Sequence, residues 1–183
     1  INGVLRPYIQ QANPLCSNQL DTNESEGNSV NAIGFAEVRF LKDFKFTSTN
    51  SVSSEETRNT TTTNPWFGQY ASQNGAITVE HDRTWSYNYQ QLLTWHHQFD
   101  LHEVDAMLGH EYYRRRYYVL YGDKTNMYTF PSNDMASAVN TGSTNSYRND
   151  YNTEGWFGRI QYNYDQKYFA SMSYRRDASS RFA

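Results

Sequence analysis

This chain of 183 residues contains one cysteine, Cys16, and four prolines. A lone thiol excludes an internal disulfide framework and any multi-cysteine zinc site. An excess of one charge is also missing: 16 Lys and Arg stand against 19 Asp and Glu, a net charge of -3 with a pI near 5.9. No basic face is therefore expected for nucleic acid. No apolar run reaches the length of a membrane-crossing helix, and the start at Ile1 has neither the charged opening nor the apolar segment of a secretory leader. Nucleophile elbow, Walker loop and dinucleotide fingerprint are all lacking, so neither an enzyme nor a cofactor is expected. Both ends read as cut from a longer chain.

Aromatic residues are abundant. They make up 16% of the chain, with 16 Tyr, although mean hydropathy is -0.88. Disordered chains are poor in such residues. Here they fall on alternate positions, and in a strand residues of one parity line one face. In the last stretch Trp156, Ile160, Tyr162, Tyr164, Tyr168, Ala170, Met172 and Tyr174 are even, while Arg159, Gln161, Asn163, Ser171, Ser173 and Arg175 are odd.

Six strands follow from this period. The first, Asn31 to Leu41, sets Ala36, Val38 and Phe40 against Glu37 and Arg39. The second, from Phe44, sets Phe44 and Phe46 against Lys45 and Thr47. The third carries Trp85, Tyr87, Tyr89, Leu93, Trp95 and Phe99 against Ser86, Asn88, Gln90, Thr94, His96 and Gln98. The fourth, His102 to about Tyr121, sets Val104, Ala106, Leu108 and Tyr112 against Glu103, Asp105 and Glu111. The fifth and sixth form the closing hairpin. No segment shows a helical stripe of similar strength.

Connections alternate in length. Lys42-Asp43, Asp100-Leu101 and Asp165 to Lys167 read as tight hairpin turns. The segments Ser53 to Gly75 and Gly122 to Asn149, and one before the first strand, read as long polar loops. Compact soluble sheets keep both ends short. One trimmed end and one overgrown end, with strands apolar on one side and polar on the other, describe a transmembrane β-barrel with short periplasmic turns and long extracellular loops. The fold class expected is all-β: antiparallel up-and-down strands forming a sector of a large barrel. Residues 1–30 would be an extracellular loop region and 31–183 the partial barrel. Val38, Phe40, Tyr87, Tyr89, Leu93, Trp95, Val104, Leu108, Ile160, Tyr162, Ala170 and Met172 would face lipid. Phe40, Phe44, Phe99, Tyr162, Tyr164 and Tyr168 crowd the short turns, where a periplasmic aromatic girdle belongs. The alternative is a soluble β-rich glycan-binding module, which would bury the apolar parity under a second sheet.

Three segments are also similar to one family. "FAEVRFLKDFKFTS" from Phe35, "LGHEYYRRR" from Leu108 and "WFGRIQYNYDQKYFASMSYRRDASSRF" from Trp156 resemble the barrel of SusC/RagA-type TonB-linked outer-membrane transporters of Bacteroidetes. That family repeats a strand-turn-strand FGR-x-x-Y-x-Y-x-x-[KR]-Y and an arginine-rich end. They are matched at Phe157-Gly158-Arg159, Tyr162, Tyr164, Lys167-Tyr168 and Arg175-Arg176-Asp177 through Arg181-Phe182. Ala178 stands where glycine is common. The resemblance runs from about Asn31 onward, with Arg6 to Leu20 as a preceding surface loop. It implies a barrel of about 22 strands, of which six are a sector. It further implies outer-membrane import of glycans, oligosaccharides or peptides, with a SusD-like lipoprotein and the TonB complex as partners. The family's plug domain, TonB box and C-terminal strands have no counterpart in these residues.

Remaining clusters are weaker. His96, His97 and His102 stand close together, but His96 and His97 point to opposite faces of a strand and no metal site is expected. Arg114 to Arg116 fall at the top of strand four, above the hydrocarbon zone, where they could meet lipopolysaccharide phosphates or loop carboxylates. Trp66, Phe67, Tyr70, Tyr128 and Phe130 lie in the long loops beside Asn, Gln and Gly, residues able to stack on and hydrogen-bond a sugar or peptide.

Overall fold

A computed structural model describes residues 14–182, with side chains from residue 17 onward. The loop expected from Arg6 therefore lies partly outside the described residues, as does the Cys16 side chain. A short helix α1 (Pro14–Leu20) precedes six strands: β1 (Thr22–Phe40), β2 (Phe44–Thr63), β3 (Ala76–Phe99), β4 (His102–Met127), β5 (Ala138–Tyr164) and β6 (Tyr168–Ser179). They pair in chain order as one antiparallel up-and-down sheet. Among the described residues there is no second sheet to cover it.

The three tight turns form where expected. Lys167 N–H donates to Tyr164 C=O at 2.9 Å across Asp165 and Gln166, whose φ values are 48° and 52°. Positive φ at both central residues defines a type I′ turn, whose twist matches that of the strands it joins. Lys167 Nζ, 2.6 Å from Asp165 Oδ2, ties the turn across its own mouth. Leu41, Lys42 and Asp100 also take positive φ, at 49°, 63° and 52°.

The long connections are shorter than expected. Residues 53–63 continue β2, 76–83 open β3, 122–127 extend β4 and 138–149 open β5; β1 begins at Thr22 and not at Asn31. Apart from Ala76, Ile77, Val79, Met127, Ala138 and Val139, these stretches are mostly polar on both faces and carry no sustained hydrophobic period. Backbone pairing and side-chain links hold them instead: the Thr22 and Thr62 hydroxyls meet, and Ser25 Oγ donates to Asn59 Oδ1 at 2.8 Å.

Contacts divide the chain into two units. The first comprises Ile1–Asn28, Glu55–Arg83 and Tyr117–Arg148 and contains both long connections. Its small core is Ile77, Met127 and Ala138, with Val79, Phe130 and Met135 packed against it. The second comprises Ser29–Ser54, Thr84–Arg116 and Asn149–Ala183 and contains all three tight turns. Its strand stretches are 29–40, 44–54, 84–99, 102–116, 149–164 and 168–179, each at or above the roughly 9–11 residues of a membrane crossing. Among its described residues no hydrophobic side chain is buried; the buried positions are Gly109 and Gly155. A unit so rich in Phe, Tyr, Trp and Leu with no core of its own needs another apolar phase to cover it.

Candidate functional site

The two faces of the second unit differ in chemistry. On one, rings touch in an unbroken series: Phe40, Phe44, Trp95, His97, Phe99, His102, Tyr164 and Tyr168, with successive centroids 4.9–6.3 Å apart. The series draws on all six strands at their turn ends. It contains most of the expected girdle, and Tyr162 joins it through His102 at 5.8 Å.

A second belt was not foreseen. Tyr87 stacks with Tyr89 at 6.4 Å, Tyr89 meets His110 at 6.1 Å, and His110 meets Trp156 at 4.3 Å. Tyr87 to Trp95, His102 to His110 and Trp156 to Tyr164 are each a step of eight residues. Eight residues span about 26 Å along a strand, or about 20 Å of membrane depth at a tilt of about 40°. That approaches the roughly 25 Å height of an apolar band flanked by two aromatic girdles. The signal was present in the sequence as this repeated step, which alternation alone does not reveal.

Of the residues expected to face lipid, Leu93, Leu108, Ile160 and Met172 lie between the belts, and with Ala106, Tyr174 and the belt residue Trp95 they line one apolar trough of about 680 Å³. Met172 pairs with Ile160 and Ala170 with Tyr162, while Val104 and Val38 share the parity of their strands' belt residues. Polar groups interrupt this face at one place. Gln91 Nε2 and Asn50 Nδ2 both donate to Ser48 Oγ, at 2.8 and 3.0 Å, and the Tyr87 hydroxyl donates to Asn50 Oδ1 at 3.3 Å. Bonding to one another is how polar side chains are accommodated in hydrocarbon.

The opposite face is polar. Arg39 and Lys45 both pair with Glu37, at 3.0 and 3.6 Å, and Asn163 donates to Glu103 at 2.9 Å. Of the three neighbouring histidines only His96 shares this face; His97 and His102 belong to the ring series, and all three find partners. His96 meets Asp105 at 2.8 Å, His97 meets Asp43 at 2.8 Å, and His102 meets the Tyr162 hydroxyl at 2.6 Å. His96, Glu103 and Asp105 have donor atoms within 4.8 Å of one another, an exposed ion pair beside a second carboxylate.

Glycines shape the middle of this polar face. A Cβ on Gly109 would stand 2.2–2.8 Å from three Phe157 ring carbons, so the missing side chain is what seats the ring. Arg175, paired with Phe157 in the ladder, holds its guanidinium carbon 5.4 Å from that ring's centroid. Its Nε donates to both Asp177 oxygens, at 2.8 and 2.9 Å, and its Nη2 reaches Glu111 at 3.3 Å.

In the first unit the loop aromatics divide. Trp66 meets Phe130 edge-on at 5.2 Å, and Phe130 packs against the small core as support. Trp66 and Tyr128 remain exposed, Tyr128 donating to Ala136 C=O at 2.6 Å; Phe67 and Tyr70 are half-buried. Fully buried Asn64 organises the turn. It donates from both backbone N and Nδ2 to Asp21 Oδ1, at 2.8 and 2.7 Å, and its own Oδ1 accepts from Trp66 N–H and Phe67 N–H, at 3.0 and 2.8 Å. Tyr117 donates to Asp82 at 3.0 Å; loss of solvent first, and that carboxylate second, push its hydroxyl up to about 12. Loss of solvent and Asp123 raise Tyr121 as well.

Comparisons with known proteins agree with this geometry. TonB-dependent receptor P3 of Formosa agariphila is 24% identical over 181 residues, covering 93% of this chain and 17% of that protein. The solved RagAB peptide transporter superposes with a TM-score of 0.85 at 21% identity, over 100% of this chain and 20% of that one. The RagAB peptide importer in its open-open state gives 0.83 over 100% and 20%, and in its closed-closed state 0.81 over 90% and 19%, both at 21% identity. No family model matches the chain. The chain spans about a fifth of the length of these relatives. The resemblance to TonB-linked SusC/RagA-type transporters, the barrel-sector fold and the outer-membrane location are borne out.

Proposed function

We propose that this chain forms wall and surface loop of a TonB-dependent outer-membrane transporter that imports nutrients. The observation carrying this reading is the pair of aromatic belts on a face with no protein cover, set against a charged opposite face. Lipid supplies the missing apolar phase on one side, and a watery or plugged lumen takes the polar groups on the other. The cargo is a glycan, an oligosaccharide or a peptide, handed over by a SusD-like lipoprotein. Energy comes from the TonB complex, acting on a part of the transporter other than these residues. The similar RagAB structures are of a peptide importer and transporter, which supports the peptide class among these cargoes. In the loops, Trp66 and Tyr128 present the open rings for cargo, with Phe67 and Tyr70 beside Trp66 and Phe130 as their support.

The test is accessibility by parity in the intact transporter, in lipid, with Cys16 replaced. Single cysteines at Ile160 and Met172 should react with lipid-soluble thiol reagents only, and those at Gln161 and Ser173 with water-soluble ones. Shielding of positions 160 and 172 from both reagents, in a protein soluble without detergent, would make the apolar face an ordinary core and end the transporter reading.

A further inference from the structure

The three consecutive arginines are not one patch. On β4 the even positions from His102 to His110 share the belted face, and the same parity continues to Tyr112, Arg114 and Arg116. The register holds throughout, since His110 meets Glu154 at 2.8 Å and, four residues on, Arg114 meets Asp150. Arg115 has the opposite parity.

Arg114 Nη2 and Arg116 Nε lie 3.6 and 3.5 Å from the same oxygen, Asp150 Oδ2. Two cations thus share one carboxylate, and a unit of positive charge is left over. At these separations little donor capacity is spent, because each guanidinium offers five N–H groups. Their side chains are 43% and 56% exposed. Arg114 stands four residues past the belt residue His110, about 13 Å along the strand and about 10 Å of membrane depth at the same tilt. That is past the acyl chains and among headgroups, on the side that faces the bilayer.

We propose that Arg114 and Arg116 form an anion site for a phosphate of an outer-leaflet phosphoglycolipid, with Asp150 holding the two guanidinium groups side by side. A guanidinium fork matches phosphate oxygens in pairs, which a lysine would not. The lipid is the occupant because the site continues the belted face. The inference rests on the outer-membrane wall reading, which is tested separately below.

The experiment uses the intact transporter in neutral-phospholipid nanodiscs doped with the phosphoglycolipid, before and after enzymatic dephosphorylation. Bound lipid is counted by native mass spectrometry. Arg114→Gln combined with Arg116→Gln should lower retention by about five- to tenfold, the loss of two charge-assisted contacts at a half-exposed site. Arg115→Gln should leave it within about twofold, and Asp150→Asn should raise it by removing the negative charge that opposes a bound phosphate. Should the double variant fail to form a barrel, Arg116→Gln alone gives the same direction. Unchanged retention in the arginine variants, equal retention of dephosphorylated lipid, or a fall with Asp150→Asn would each overturn the site. Displacement of the lipid by millimolar inorganic phosphate would make free phosphate the ligand and overturn the lipid assignment. A heat-dependent gel shift of each variant reports barrel formation independently; absence of that shift in the unmutated protein would instead sink the wall reading itself.

Discussion

Met172 offers the sharpest test of the membrane face. It pairs with Ile160, which lies four residues from Trp156 in one belt and four from Tyr164 in the other. The pair therefore sits at the midplane, about 10 Å from either interface at the usual strand tilt. Met172→Arg places a guanidinium where neither headgroup is within easy reach, at a cost of about 2–4 kcal/mol. The same arginine at Tyr168, in the turn-end belt, should cost about 0–1 kcal/mol. At Ser171, which pairs with Gln161 on the polar face, it should also stay within about 1 kcal/mol. The assay is guanidinium unfolding of the intact transporter from lipid vesicles, followed by tryptophan fluorescence. The Met172 effect corresponds to a shift of roughly thirty- to several-hundredfold in the folding constant. A packed protein core would also resist arginine, so the decisive variable is the lipid. Shorter acyl chains bring the interface closer and should shrink the Met172 penalty while leaving the Ser171 value alone. Equal costs at 171 and 172, or a Met172 cost indifferent to chain length, would refute the reasoning.

Three further outcomes follow from the contacts. Gly109→Ala should destabilise by about 1–3 kcal/mol by forcing Phe157 off its seat; adding Phe157→Ala should make the second change less costly than it is alone, measured as a double-mutant cycle. Asn64→Ala leaves the Trp66 and Phe67 N–H groups without their acceptor and should cost about 2–3 kcal/mol, read as faster proteolysis of the 64–75 connection. Tyr117 binds its proton more tightly folded than unfolded, so its contribution is complete below about pH 10 and is lost as pH rises through about 12. Absorbance titration should show late tyrosine ionisation that Tyr117→Phe reduces while Tyr121 still contributes, and the variant should flatten the alkaline decline in stability.

Much of the wall was legible because lipid enforces a strict period. Where one face must be apolar and the other wet, each strand alternates, and the six strands and three tight turns could be read from parity. Stretches such as Thr22 to Ser29 and Asn140 to Asn149 were not legible as strands, since both of their faces are mostly polar and Ser, Thr and Asn equally suit loops. Their strand state depends on neighbours that parity cannot name, such as Asn59 for Ser25 and Asp123 for Ser143, the latter accepting the Ser143 N–H at 2.9 Å. Gly142 makes room for that same carboxylate, which a Cβ there would meet at 1.9 Å.

Gln91 shows where the period stops being informative. It lies halfway between the belt residues Tyr87 and Trp95, at the depth where Ile160 sits on β5, yet it is polar. Read alone it breaks the pattern; with Ser48 and Asn50 it forms a bonded group whose donors are partly spent inside the sheet. Because β2 and β3 are neighbours, a polar residue on one is tolerated when the other supplies its partner, and the lipid then meets a smaller residual polarity. Parity is a property of one strand, whereas the cost of a polar side chain in hydrocarbon is a property of a pair. A sequence reading can therefore recover the faces from single strands, but it finds such exceptions only once the strand order and register are known.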